Sequence, residues 1–118
     1  MGATVEIWHN PRCSKSRATL ALLTEHGVEP VVRNYLDDPP TRAELVEVLA
    51  ELGTDDPLTI TRTGEARFRE LGLRGADRDT LLDALAAHPS LVERPIVRTD
   101  GRAALGRPPE DVLPLIGA

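Results

Sequence analysis

The sequence is short of thiols, of lysine and of aromatic rings, and each shortage excludes something. There is one cysteine, Cys13, so no disulfide can close within the chain and no Cys-x-x-Cys dithiol can form. Nor is there a cysteine and histidine set with zinc spacing. The aromatic residues are Trp8, Tyr35 and Phe68 alone, 3% of the chain, too few to build stacking platforms for single-stranded nucleic acid. Basic excess is missing too: 14 basic residues face 19 acidic ones, for a net charge of -5, which argues against phosphate-backbone binding. No apolar run approaches the ~18–20 residues of a membrane span. The N-terminus has no basic region leading into an apolar stretch, so no signal peptide is expected and the cytoplasm is the expected location. No broad apolar stripe suggests a subunit interface, which makes a monomer the expectation.

What is present fits one globular domain. The chain has 118 residues, 41% hydrophobic and 28% charged. All but one of its 14 basic residues are arginine, the exception being Lys15. Arginine offers a planar fork that grips oxyanions at two points.

Hydrophobic periodicity divides the chain into elements. Thr4–His9 alternates as a strand, with Val5 and Ile7 inward, until Asn10-Pro11 breaks it. Ser14 to about His26 reads as a helix, its apolar positions being Ala18, Ala21, Leu22 and Leu23, and Gly27 stops it. Val31–Leu36 reads as a second strand. Thr41-Arg42-Ala43-Glu44 forms a capping box ahead of a helix carrying Leu45, Leu49 and Leu52, closed by Gly53. Residues 54–64 read as irregular, and Glu65–Leu71 as a short helix. Asp77 or Asp79 starts another helix, with Leu81, Leu82 and Leu85 inward. Arg94–Thr99 and Arg102–Gly106 flank Asp100-Gly101, a dipeptide suited to a two-residue hairpin turn. Pro108-Pro109-Glu110-Asp111 opens a last helix. The order is β-α-β, a helical insertion at about 41–90, then β-β-α. That predicts an α/β fold, one mixed sheet covered by helices, in a single domain spanning residues 1–118.

Cys13 lies between the first strand and the first helix. Backbone N–H groups at a helix N-terminus favour an anion. Arg12, Lys15 and Arg17 add positive charge, and such surroundings lower a thiol pKa from ~8.5 into roughly the 3.5–7.5 range. The loop is therefore a candidate cradle for an oxyanion over a thiolate, with Ser16 and Arg17 among its binding residues. The competing reading is an inert structural cysteine. His9 is placed to tune the thiol or merely to end its strand. Counting back from the hairpin turn sets Arg94 beside Arg107, and two guanidinium groups side by side suggest either an anion between them or two solvated strand-end arginines, each paired to a nearby acid such as Glu93 or Glu110.

These residues also carry a pattern. His9-Asn10-Pro11-Arg12-Cys13-Ser14-Lys15-Ser16-Arg17, Tyr35-Leu36 with Pro39-Pro40, Glu93-Arg94-Pro95-Ile96-Val97 and Gly106-Arg107-Pro108 together resemble the glutaredoxin-dependent arsenate reductase family, in its shorter branch. The resemblance implies a thioredoxin-like fold, Cys13 as nucleophile and His9 as the residue that tunes it. It places the oxyanion arginines at Arg62, Arg94 and Arg107, and a cis proline at Pro95. It implies arsenate as substrate and no bound cofactor or metal. Glutathione, or another low-molecular-weight thiol, is the implied co-substrate, and glutaredoxin the partner that resolves the mixed disulfide. Two alternatives stay open: a non-catalytic regulatory or protein-binding module on the same fold, and a thiol-dependent enzyme with another substrate. Ser16 stands where the family's oxidation-sensing relatives carry a second cysteine, so that dithiol switch is excluded.

Overall fold

The computed structural model describes residues 3–118. The Met1-Gly2 start of the segment read above for a leader lies outside the described residues. The chain resolves into two compact units, one formed by the residues up to Asp38 together with Arg94–Ala118, the other by Pro39–Glu93.

The first unit is built on four short strands: β1 (Glu6–His9), β2 (Val31–Asn34), β3 (Ile96–Thr99) and β4 (Arg102–Leu105). Their order across the sheet is β2-β1-β3-β4. β1 and β2 run parallel, joined through helix α1 (Ser14–Glu25), whereas β3 lies antiparallel to both β1 and β4. This is the thioredoxin-like arrangement of a βαβ unit followed by a hairpin. At the hairpin turn Asp100 and Gly101 both have positive φ (54° and 74°), as a two-residue turn requires. The register pairs Thr99 with Arg102 and Ile96 with Leu105, and the ladder extends to the Gly106 N–H donating to the Pro95 carbonyl at 3.0 Å. The last segment, Pro109–Ile116, winds as a 3₁₀ helix with Pro114 inside it. The proline ring clashes with the carbonyl four residues back in a regular α-helix, which opposes the ordinary helix expected here.

Ile7, Leu23, Val97 and Val112 form the core on one face of the sheet. The strands are shorter than their sequence patterns, and the simple alternation expected for β1 fails. Ile7 and Trp8 point to opposite faces, yet both are fully buried. Trp8 donates its indole N–H to Glu6 at 2.7 Å and lies between the guanidinium groups of Arg33 and Arg98, 5.4 and 5.7 Å from its ring centre. The buried face of α1 also departs from expectation. It consists of Ser16, Thr19 and Leu23, while Ala18 and Ala21 are exposed. The spacing is helical, but two of the three residues are polar, so a search for apolar periodicity finds Leu23 and misses the other two.

The second unit holds α2 (Arg42–Leu52), a 3₁₀ turn (Pro57–Ile60), α3 (Ala66–Glu70), α4 (Arg78–Ala87) and a further 3₁₀ turn (Pro89–Leu91). The Thr41 and Glu44 capping box forms with both of its bonds, 3.1 and 3.0 Å. Asp77 is the cap of α4, accepting from the Thr80 N–H at 2.8 Å. α2 packs on α4, and Leu45, Val48, Leu49, Leu81, Leu82 and Leu85 are buried.

Candidate active site

Three stretches of the sheet unit meet at Cys13: the end of β1, the first turn of α1 and the open end of the β3–β4 hairpin. Asn10 organises the turn between strand and helix. Its carbonyl accepts from the Cys13 N–H at 3.0 Å and its side-chain oxygen from the Arg12 N–H at 2.9 Å. Cys13 itself is the N-cap of α1, in extended conformation and partly exposed. Its sulfur faces the N–H groups of Ser16 and Lys15 without closing a cap hydrogen bond.

Partial burial pushes the thiol pKa up. The N–H of Ser16, then that of Lys15, then the charges of Arg94 and Arg107 push it down, and together they prevail, leaving it below the ordinary thiol value. The charges that matter therefore come from the far end of the chain. Of the three basic neighbours in sequence, Lys15 acts through its backbone, and Arg17 turns its guanidinium to the Pro11 carbonyl at 2.9 Å.

Arg107 reaches Cys13 most directly, with Nη1 4.0 Å from Sγ. The same nitrogen donates to the Arg94 carbonyl at 3.2 Å, so the two arginines adjoin as the hairpin count suggests. Both are followed by cis peptide bonds, Arg94–Pro95 and Arg107–Pro108.

His9 is buried and does not reach the thiol through Nδ1, which shares a 2.6 Å hydrogen bond with the Ser16 hydroxyl. That hydroxyl also accepts from the Asn10 N–H at 3.0 Å. Ser16 is fully buried, so its hydroxyl is engaged inside the loop and what it turns toward the sulfur is its backbone N–H. Burial, and then the positive charge of Arg17, push the His9 pKa below its ordinary value, which favours the neutral ring.

Arg62 belongs to the helical unit. There it pairs with Glu65 at 3.2 Å and donates to the Ser90 carbonyl at 3.2 Å. Among the described residues, no group of three or more His, Cys, Asp or Glu is placed to hold a metal ion.

Sequence reasoning missed two supporting residues. Gly106 has no room for a side chain: a Cβ there would lie 2.3 Å from Thr19 Oγ1 and 2.7 Å from Pro95 Cγ. Thr19, fully buried, donates to the Lys15 carbonyl at 2.8 Å. Helix α1 and the hairpin end thus approach as closely as backbone permits, one residue before Arg107. The only trace in sequence is a glycine between a strand and an Arg-Pro pair.

A single thiol at the N-terminus of the first helix, beside two arginines from a hairpin end, defines a one-cysteine protein of the thioredoxin-like class. Known proteins agree. A sequence model of the ArsC family matches residues 8–115. The arsenate reductase of Neisseria meningitidis serogroup A is 47% identical over 110 residues, covering 92% of this chain and 94% of that one. The arsenate reductase of Haemophilus influenzae is 41% identical over 115 residues, covering 96% and 99%. The solved structure of the arsenate reductase from Vibrio cholerae matches with a TM-score of 0.93 at 44% identity, over 97% of this chain and 98% of that one. The chain belongs to the ArsC family.

Proposed function

We propose that the protein is an arsenate reductase in which Cys13 is the nucleophile. The observation that carries this reading is a thiol favoured as thiolate by the N–H groups of Ser16 and Lys15, with the Arg107 guanidinium 4.0 Å from its sulfur. An anion beside that sulfur meets positive charge and free N–H donors together.

The thiolate attacks arsenic, forming an S–As bond, and one arsenate oxygen leaves as water after taking up protons. Arg94 and Arg107 hold the remaining oxygens. A glutathione thiolate then attacks Cys13 Sγ. The S–As bond breaks and its electron pair stays on arsenic, which passes from As(V) to As(III) and departs as arsenite. The new S–S bond is a Cys13–glutathione mixed disulfide, which a glutaredoxin thiol opens to restore Cys13. His9 acts at one remove, as a positioning residue that holds Ser16, and Arg17 steadies the loop at Pro11. Phosphate matches arsenate in shape and charge. Selectivity lies in the chemistry, because arsenic accepts sulfur and two electrons whereas phosphorus(V) does not.

The test is NADPH consumption in an assay coupled through glutathione reductase, glutaredoxin and glutathione, with arsenate as substrate. Turnover should depend on arsenate and vanish in Cys13→Ser, a nearly isosteric change, with the fold intact by circular dichroism. Residual turnover in that variant refutes the nucleophile. No turnover in the parent protein refutes the activity.

A further inference from the structure

Beside the Cys13 loop, on the side away from the arginine pair, is a pocket of about 310 Å³ lined by Asn10, Pro11, Arg12, Asn34, Leu36 and Asp37. Its size lies at the small end of the roughly 300–1,000 Å³ typical of small-molecule sites. We propose that this pocket is the subsite for the thiol co-substrate, and that it recognises a zwitterionic peptide thiol such as glutathione. The inference rests on the activity proposed above and adds where the second thiol stands.

Sheet topology supplies the first argument. β1 runs into the Cys13 loop and has β3 on one side and β2 on the other. Arg94 and Arg107 border the loop from the β3–β4 end, and the pocket opens at the end of β2. Substitution at sulfur is in-line: the incoming thiolate approaches opposite the bond that breaks. With arsenic seated on the arginine side of Sγ, the attacking sulfur must arrive from the β2 side. The pocket is there, and residues 10–12 of its wall adjoin Cys13 in sequence.

Charge supplies the second. Arg12 and Asp37 are both exposed, and neither side chain has a hydrogen bond or ion pair with the described residues. By contrast, neighbouring Asp38 is taken up by Arg33 at 3.3 Å. One small pocket thus displays a free cation and a free anion, a match for a ligand carrying both an ammonium and a carboxylate. Asn34 adds a third element. Its Oδ1 is buried and has no hydrogen-bond partner among the described residues, which is rare enough to call for an explanation. Rotation of that amide presents an acceptor to a peptide N–H entering the pocket. Leu36, 39% exposed, offers apolar contact to the methylene chain.

The test isolates attack on Cys13 from arsenate chemistry. Cys13 is converted to its mixed disulfide with thionitrobenzoate, and release of thionitrobenzoate is followed by absorbance with glutathione or with 2-mercaptoethanol. In both reactions the thiolate attacks Cys13 Sγ, the S–S bond breaks and thionitrobenzoate leaves. Relative to its rate with a small-molecule disulfide, glutathione should outpace 2-mercaptoethanol and should saturate. Arg12→Ala and Asp37→Asn should each slow glutathione about tenfold at low concentration, as expected for loss of one charge-assisted contact. The rate with 2-mercaptoethanol should stay within about twofold, because that thiol has no charges to recognise. Equal effects on both thiols, or no effect on either, overturn the subsite. The outcome is independent of the activity: a glutathione preference without arsenate turnover sinks the reductase and leaves the pocket standing, and turnover without the preference does the reverse.

Discussion

The two units bury different material. In the helical unit the interior is leucine and valine on facing helices, Leu45, Val48 and Leu49 from α2 with Leu81, Leu82 and Leu85 from α4. In the sheet unit the first helix turns Ser16 and Thr19 inward, above Leu23, and brings them against a histidine ring, loop amides and a glycine. Apolar packing tolerates exchange among residues of similar volume, so it holds helices together without dictating atom positions closely. Hydrogen bonds and close backbone approach are less forgiving, and they hold the one place where geometry controls chemistry. Cys13 depends on that second kind of construction: its anion is favoured by two N–H groups that stay in place only while Ser16 and Asn10 do.

Four predictions bear on this contrast. The largest stability effect belongs to the helical unit. Leu82→Ala removes a fully buried side chain and should cost about 2–5 kcal/mol, read from the midpoint of urea denaturation. Thiol reactivity measured well below that transition should be unchanged, and a shift in it would blur the division between the units. Next comes Gly106→Ala, which forces Thr19 and Pro95 aside and should cost about 1–3 kcal/mol. It should also lower kcat/KM, since Arg107 follows directly. Thr19→Ala in the same chain should recover part of the loss. Absence of any coupling in that double-mutant cycle would mean the close approach constrains nothing.

Smaller effects are expected at the thiol. Lys15→Pro deletes an N–H that lowers the Cys13 pKa, in the first turn of α1, where that N–H has no partner within the helix. The pH midpoint of iodoacetamide alkylation should rise more than in Lys15→Ala, which removes the side-chain charge and keeps the N–H. Equal rises would mean the charge is what counts. The smallest effect concerns His9. Its folded pKa lies below the ordinary 6.5, so on acidification the unfolded chain takes the proton first. Stability from this group is complete above 6.5 and is lost as the pH falls below it. Melting temperatures at pH 7.5 and 5.5 should differ less in His9→Gln than in the parent. An equal difference would locate the acid sensitivity elsewhere.

Legibility in the sequence followed the same division. Leucine spacing marked α2 and α4, Thr41 and Gly53 marked the ends of α2, and the start of α4 was narrowed to Asp77 or Asp79, because caps and apolar periodicity are local signals. Asp100-Gly101 marked the hairpin for the same reason, and the hairpin in turn set Arg94 beside Arg107. The inward face of α1 was not legible, since Ser16 and Thr19 are buried for partners, His9 and Gly106, that lie outside the helix. Nor, apart from the family resemblance, was the source of positive charge at Cys13. Arg12 and Arg17 are nearest along the chain, whereas Arg94 and Arg107 act on the sulfur.

The sequence by itself therefore determined the element order, the caps, the turn and a lone thiol at a helix start, all of which depend on contacts a few residues apart. Tertiary structure alone decided how closely Arg107 approaches that thiol, that His9 bonds to Ser16, and that Gly106 must have no side chain. Each of those rests on groups brought together across the sheet, where distance along the chain carries no information about distance in space.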